Sequence, residues 1–96
     1  MNTGLDLKAI EPILRQNHVE YAGVFGSRAR GDYRKDSDLD LLIRFNKPIG
    51  MFAFVDLQDR LKEVTGKKID LVTELSLSPY IKDKVMSDLV TVYGKR

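Results

Sequence analysis

The stretch from Val24 to Phe45, VFGSRARGDYRKDSDLDLLIRF, constrains the fold more than any other part of the chain. An apolar run stops at Gly26-Ser27, a basic polar segment follows, and Asp38 and Asp40 open a second apolar run. This order predicts a strand, a turn shaped to approach a phosphate, and a second strand led by two spaced carboxylates. Residues two apart on a strand share a face, so Asp38 and Asp40 point the same way. Like charges held that close repel, and apolar surroundings raise the cost. A divalent cation relieves it, and an all-oxygen donor set favours magnesium or manganese over zinc.

At 96 residues the chain is expected to form one domain, residues 1–96, large enough for a modest core without staples. The absence of cysteine excludes thiol chemistry, a disulfide framework and a Cys-based zinc site. Neither a long apolar span nor a signal-peptide pattern is present, so a cytoplasmic protein without membrane contact is expected. A formal charge of +2 is too small to imply nucleic-acid binding, and none is expected directly. The distribution of charge says more. Arg28, Arg30, Arg34 and Lys35 crowd one segment, and Asp36, Asp38 and Asp40 follow at once. In an arbitrary chain such a run is usually a solvated loop; the adjoining Gly26-Ser27 and the strand pattern after it weigh against that here.

Apolar residues at three- and four-residue spacing (Leu7, Ile10, Ile13, Leu14) predict an amphipathic helix over about Asp6 to Asn17. Pro12 lies inside it, so either the helix kinks or the main helix starts near Pro12. His18, the single histidine, reads as a helix-end residue. Val19–Phe25 predicts a strand, Gly26–Arg34 a tight turn with a short helix, and Leu39–Phe45 a strand covered on both faces. Phe54, Leu57, Leu61 and Val64 return at helical spacing as a core stripe, with Gly66 at the C-terminal cap. Lys68–Thr73 predicts a third strand, and Ser78-Pro79 starts a last helix carried by Ile81, Val85, Met86 and Leu89. The terminal VTVYG adds a short extended piece. The order αβαβαβα predicts an α/β (α+β) domain with a small central sheet and flanking helices.

Asp70 interrupts the third apolar run between Ile69 and Leu71, where a buried acid is costly unless paired or metal-bound. If its strand lies beside Leu39–Phe45, Asp38, Asp40 and Asp70 converge on the arrangement that two-metal phosphoryl transfer needs. The structural alternative is an ion pair with Lys67 or Lys68. Gly26 lets the backbone approach a phosphate, and helix-start amides with the Ser27 hydroxyl can bind it. Arg28 and Arg30 bring positive charge nearby, with structural and phosphate-binding roles both open. Asp36 reads as a solvated turn residue. A P-loop is excluded, because Asp32-Tyr33 follows Gly31 where Lys and Ser or Thr are required. An EF-hand is excluded, because Leu41 replaces its glycine and Lys47 its final glutamate.

Gly26-Ser27, ten residues, then Asp38-x-Asp40 resembles the signature of the DNA polymerase β-like nucleotidyltransferase superfamily. The fuller GSRARG…SDLDLLI with KIDLVT downstream resembles its minimal nucleotidyltransferase (MNT) branch over nearly the whole chain. The resemblance implies a mixed sheet with flanking helices and nucleotide transfer from an NTP to a hydroxyl, using two magnesium ions, with ATP as the expected substrate. It implies that Asp38 and Asp40 bind both metals and that Asp70 binds the catalytic one and helps activate the acceptor. It also implies that Gly26 and Ser27 hold the triphosphate, with Arg30 in support. Many MNT proteins pair with a HEPN-domain toxin as its antitoxin, some by adding AMP to a toxin tyrosine, so a HEPN-type partner and a hetero-oligomer with it are expected. Two alternatives stand beside this: a binding module that neutralises its partner by occlusion, and a nucleotidyltransferase acting on a small molecule or RNA.

Overall fold

The computed structural model describes residues 5–34 and 38–96. The chain runs α1 (Leu7–Gln16), β1 (Val19–Phe25), α2 (Ser27–Arg30), β2 (Leu39–Phe45), α3 (Met51–Thr65) and β3 (Ile69–Thr73). A 3-10 turn (Glu74–Ser76), α4 (Pro79–Asp88) and β4 (Val90–Gly94) complete it. The strands form one mixed sheet in the order β3-β2-β1-β4. β1 is antiparallel to both β2 and β4, whereas β2 and β3 are parallel. Parallel neighbours need a long crossover, which the 15-residue α3 supplies. The expected α/β class and flanking helices are therefore observed.

Local signals explain most element boundaries. The Asp6 side chain accepts a hydrogen bond from the Lys8 amide at 3.1 Å and caps α1. The helix then passes through Pro12, so it does not start there. Pro12 and Lys8, whose carbonyl loses its usual donor, both face solvent, where water can replace the bond. His18 follows the helix end at φ 64. Ser78 accepts from the Tyr80 amide at 3.3 Å, and Pro79 opens α4. Gly66, at φ 67, closes α3 in the left-handed conformation.

One face of the sheet carries the core. Ala22 and Val24 of β1, Leu39, Leu41 and Ile43 of β2, and Ile69 and Leu71 of β3 pack there with Ile10 and Leu14 of α1 and Leu57 and Leu61 of α3. Each fully buried leucine contributes about 1.5–3 kcal/mol relative to exposure. The α3 stripe is narrower than its spacing suggested. Leu57 and Leu61 are fully buried and Phe54 packs edge-on against Phe45 at 6.3 Å, but Val64 is exposed.

Alternation sends Tyr21, Gly23, Asp40, Leu42, Arg44 and Asp70 to the opposite face. A Cβ on Gly23 would meet Tyr21 and Leu89, so that face is closed tightly beside the end of α4. Between β2 and α4 lies a cavity of about 280 Å³ lined in part by Tyr21, Leu42, Arg44, Met86 and Leu89. The terminal extended piece is β4, paired with β1, so the sheet has four strands rather than the three of the αβαβαβα order. No helix among the described residues is long and apolar enough to cross a membrane.

Candidate active site

Strand register gathers the residues that the sequence singled out. Phe25 of β1 stands opposite Asp40 of β2, and Asp40 stands beside Asp70 of β3. Gly26, one step beyond Phe25, therefore lies against Asp40. A Cβ there would run into Asp40 Oδ2. Gly26 also adopts φ 76 and ψ −153, a region closed to residues with a side chain. Glycine is thus required twice, for backbone conformation and for the approach to the carboxylate.

Ser27 opens α2, a single helical turn. The Gly26 carbonyl accepts from the amides of Ala29 and Arg30 at 3.1 Å each, which winds the chain into that turn directly after β1. Asp38 lies one residue before β2 and is exposed, whereas Asp40 is half-buried. Asp36 falls outside the described residues.

Asp70 corrects the expectation of a buried acid, because its side chain is exposed. β3 is an edge strand, and only its Ile69 and Leu71 face the core. Neither Lys67 nor Lys68 forms an ion pair with it among the described residues.

Electrostatics link the three acids. Burial pushes the Asp40 carboxyl above its ordinary range, and the charges of Asp70 and Asp38 push the same way, while Arg30 opposes them. Among the described residues, no three acidic side chains already stand close enough to hold a metal ion. The donor set nevertheless fits a hard divalent cation: it is all carboxylate oxygen, and cation charge would relieve the repulsion on Asp40. Asp38 and Asp70 are both exposed, on either side of the half-buried Asp40 in the donor set.

The two nearby arginines divide their roles. Arg28 is only 2% exposed, with its guanidinium 4.5 Å from the centroid of the Tyr33 ring. It is built into the fold. Arg28→Lys keeps the charge but loses the planar stacking. The variant is expected to lose about 1–2 kcal/mol of stability, read as a lower Tm in thermal denaturation.

Arg30 is exposed and points toward α4. Its Nη1 donates to Asp88 at 2.9 Å and its Nε to Asp32 at 3.4 Å. Those bonds, Asp88 first, raise its pKa further. Sequence reasoning passed over Asp88, which stands 58 residues from Arg30 and meets it only through the fold.

The cavity between β2 and α4 does not include the acids. It begins at Leu42, two residues along β2 from Asp40 on the same face.

The family model described as "Nucleotidyltransferase domain" matches residues 7–92. A Methanocaldococcus jannaschii relative described as a candidate protein adenylyltransferase is 36% identical over 92 residues, spanning 96% of this chain and 99% of its own. Protein adenylyltransferase MntA of Thermococcus cleftensis is 34% identical over 96 residues, spanning 92% of this chain and 97% of its own. Among solved structures, a chain from tri-AMPylated Shewanella oneidensis HEPN toxin in complex with MNT antitoxin superposes with a TM-score of 0.72. That match covers 97% of this chain and 73% of the other at 21% identity, a likeness of fold.

Proposed function

This chain belongs to the nucleotidyltransferase domain family and is an enzyme of that class, and we propose that it transfers AMP from ATP to a tyrosine hydroxyl of a HEPN-type toxin, acting as the antitoxin. The observation that carries the reading is the register that pairs Asp40 with Asp70 beside the Gly26 backbone. Similarity to protein adenylyltransferases supports AMP as the transferred group. The fold shared with a chain of a HEPN–MNT complex supports the partner class.

In this reading the tyrosine oxygen attacks the α-phosphorus of ATP. The bond from that phosphorus to the bridging oxygen breaks, and pyrophosphate leaves. Two magnesium ions held by Asp38, Asp40 and Asp70 would supply charge neutralisation and a lowered hydroxyl pKa. The Gly26 backbone and the Ser27 hydroxyl hold the triphosphate, and Arg30 offsets negative charge on it. Asp70, exposed at the sheet edge, is reachable by an acceptor coming from solvent and receives the tyrosine proton. The cavity beyond Leu42 gives the chain around that tyrosine an apolar place beside the acids.

The test is transfer from ATP labelled at either the α- or the γ-phosphate to a purified HEPN-domain partner in magnesium. Retention of the α-label alone, on a tyrosine peptide, is the expected result. Retention of the γ-label would mean phosphoryl transfer instead. If neither label is retained while the partner's activity is still silenced, occlusion replaces catalysis as the mode of neutralisation.

A further inference from the structure

We propose that Asp88 is a positioning residue for this nucleotide site, holding the Arg30 guanidinium beside the Gly26–Arg30 turn where an incoming triphosphate meets it. The inference rests on the nucleotidyltransferase reading and adds a residue from a different part of the chain. Arg30 ends a helix of one turn and is followed at once by Gly31 at φ 84. An exposed arginine side chain has many rotamers, and the partners it meets choose among them.

Two carboxylates reach it, and they differ in kind. Asp32 sits in the following loop with its side chain 63% exposed, and its contact is 3.4 Å. Asp88 is 15% exposed and its contact is 2.9 Å. It is also the last residue of α4, directly before Leu89, which packs against Gly23 on the sheet. Asp88 is therefore the anchored partner.

Its location argues for a purpose beyond stability. A negative charge in the last turn of a helix opposes the helix dipole, so Asp88 stands where local rules disfavour an acid. The pair it makes with an exposed arginine returns little stability. What the pair does fix is direction. Arg30 stays at the end of the single turn that begins beside Gly26, whose backbone abuts the Asp40 carboxylate. A bidentate carboxylate grip on both edges would exhaust the guanidinium, but the Asp88 contact uses Nη1 and leaves Nη2 to face other acceptors.

The test measures the affinity of AMP-PNP with magnesium for the wild type, Asp88→Ala, Arg30→Ala and the double variant, with Tm taken for each. Arg30→Ala is expected to weaken binding roughly tenfold or more. Asp88→Ala alone is expected to weaken it about three- to fivefold with Tm unchanged or higher. In the Arg30→Ala background Asp88→Ala should add nothing, because its effect passes through the missing side chain. Equal losses in both backgrounds, a fall in Tm without a change in affinity, or unchanged affinity in Asp88→Ala would each overturn the proposal. A wild type that does not bind AMP-PNP would instead remove the site reading beneath it, and that is seen before any variant is compared.

Discussion

Asp40→Asn is expected to lose nucleotidyl transfer by roughly 10²–10³-fold or more, the scale of removing one charge-handling group from an active site, while melting at a higher temperature than the wild type in a chelating buffer at pH 7. Both effects have one source. Asp40 is half-buried, faces Asp70 across the β2–β3 pair, and has its pKa raised by burial and then by Asp70 and Asp38. The folded state therefore holds the Asp40 proton more tightly than the unfolded chain does. Stability from this group is fully present below the unfolded carboxylate pKa of about 4 and falls as pH rises through the folded value. Asparagine carries no charge, so the variant escapes that fall. Its Tm advantage should appear as pH climbs from about 4 toward neutrality and close again in acid. Magnesium with nucleotide should raise the wild-type Tm and leave the variant unmoved, since the ligand stabilises only the protein that binds it. A variant less stable than wild type at pH 7 in chelator would refute the charge argument.

Gly26→Ala is expected to damage the site and the fold together. The backbone at φ 76 and ψ −153 is essentially closed to alanine, at a cost of about 1–3 kcal/mol. The new methyl would also displace the Asp40 carboxylate, which the Gly26 backbone abuts. Transfer should fall with Tm, and nucleotide affinity should not recover when temperature is lowered to restore folding. Gly31→Ala is the control. Its φ of 84 is also left-handed, but a Cβ there meets nothing within 4 Å. That variant should lose stability through the backbone alone and keep its nucleotide affinity once folded. Equal behaviour of the two would show that contact with Asp40 is not what makes Gly26 necessary.

The parts of this site that were legible in the sequence share one property: they are local. Gly26-Ser27 marks the end of an apolar run, and Asp38 and Asp40 stand two apart at the head of the next one. Asp70 comes beside Asp40 because β3 lies beside β2 in register, whereas no three acids among the described residues stand close enough to hold a metal ion. The burial assigned to Asp70 was wrong for a reason that the sequence also contains. Ile69 and Leu71 lie on one face and Asp70 on the other, and an edge strand leaves that second face wet. The helix through Pro12 could not be decided because the cost of a missing donor depends on which side faces solvent. Arg28 and Arg30 were indistinguishable in sequence, two residues apart with the same chemistry. Only the packed structure buries one against the Tyr33 ring and turns the other toward Asp88. No pattern in a linear reading joins Arg30 to a residue at the far end of α4.

The most direct test of the account is label transfer from α-labelled ATP to a HEPN-domain partner, comparing wild type with the Asp38→Asn, Asp40→Asn double variant, each in magnesium and in chelator. The account predicts a labelled tyrosine peptide in one of the four reactions, wild type with magnesium. Transfer that survives in the double variant or in chelator would contradict the assignment of these acids as the metal-dependent centre.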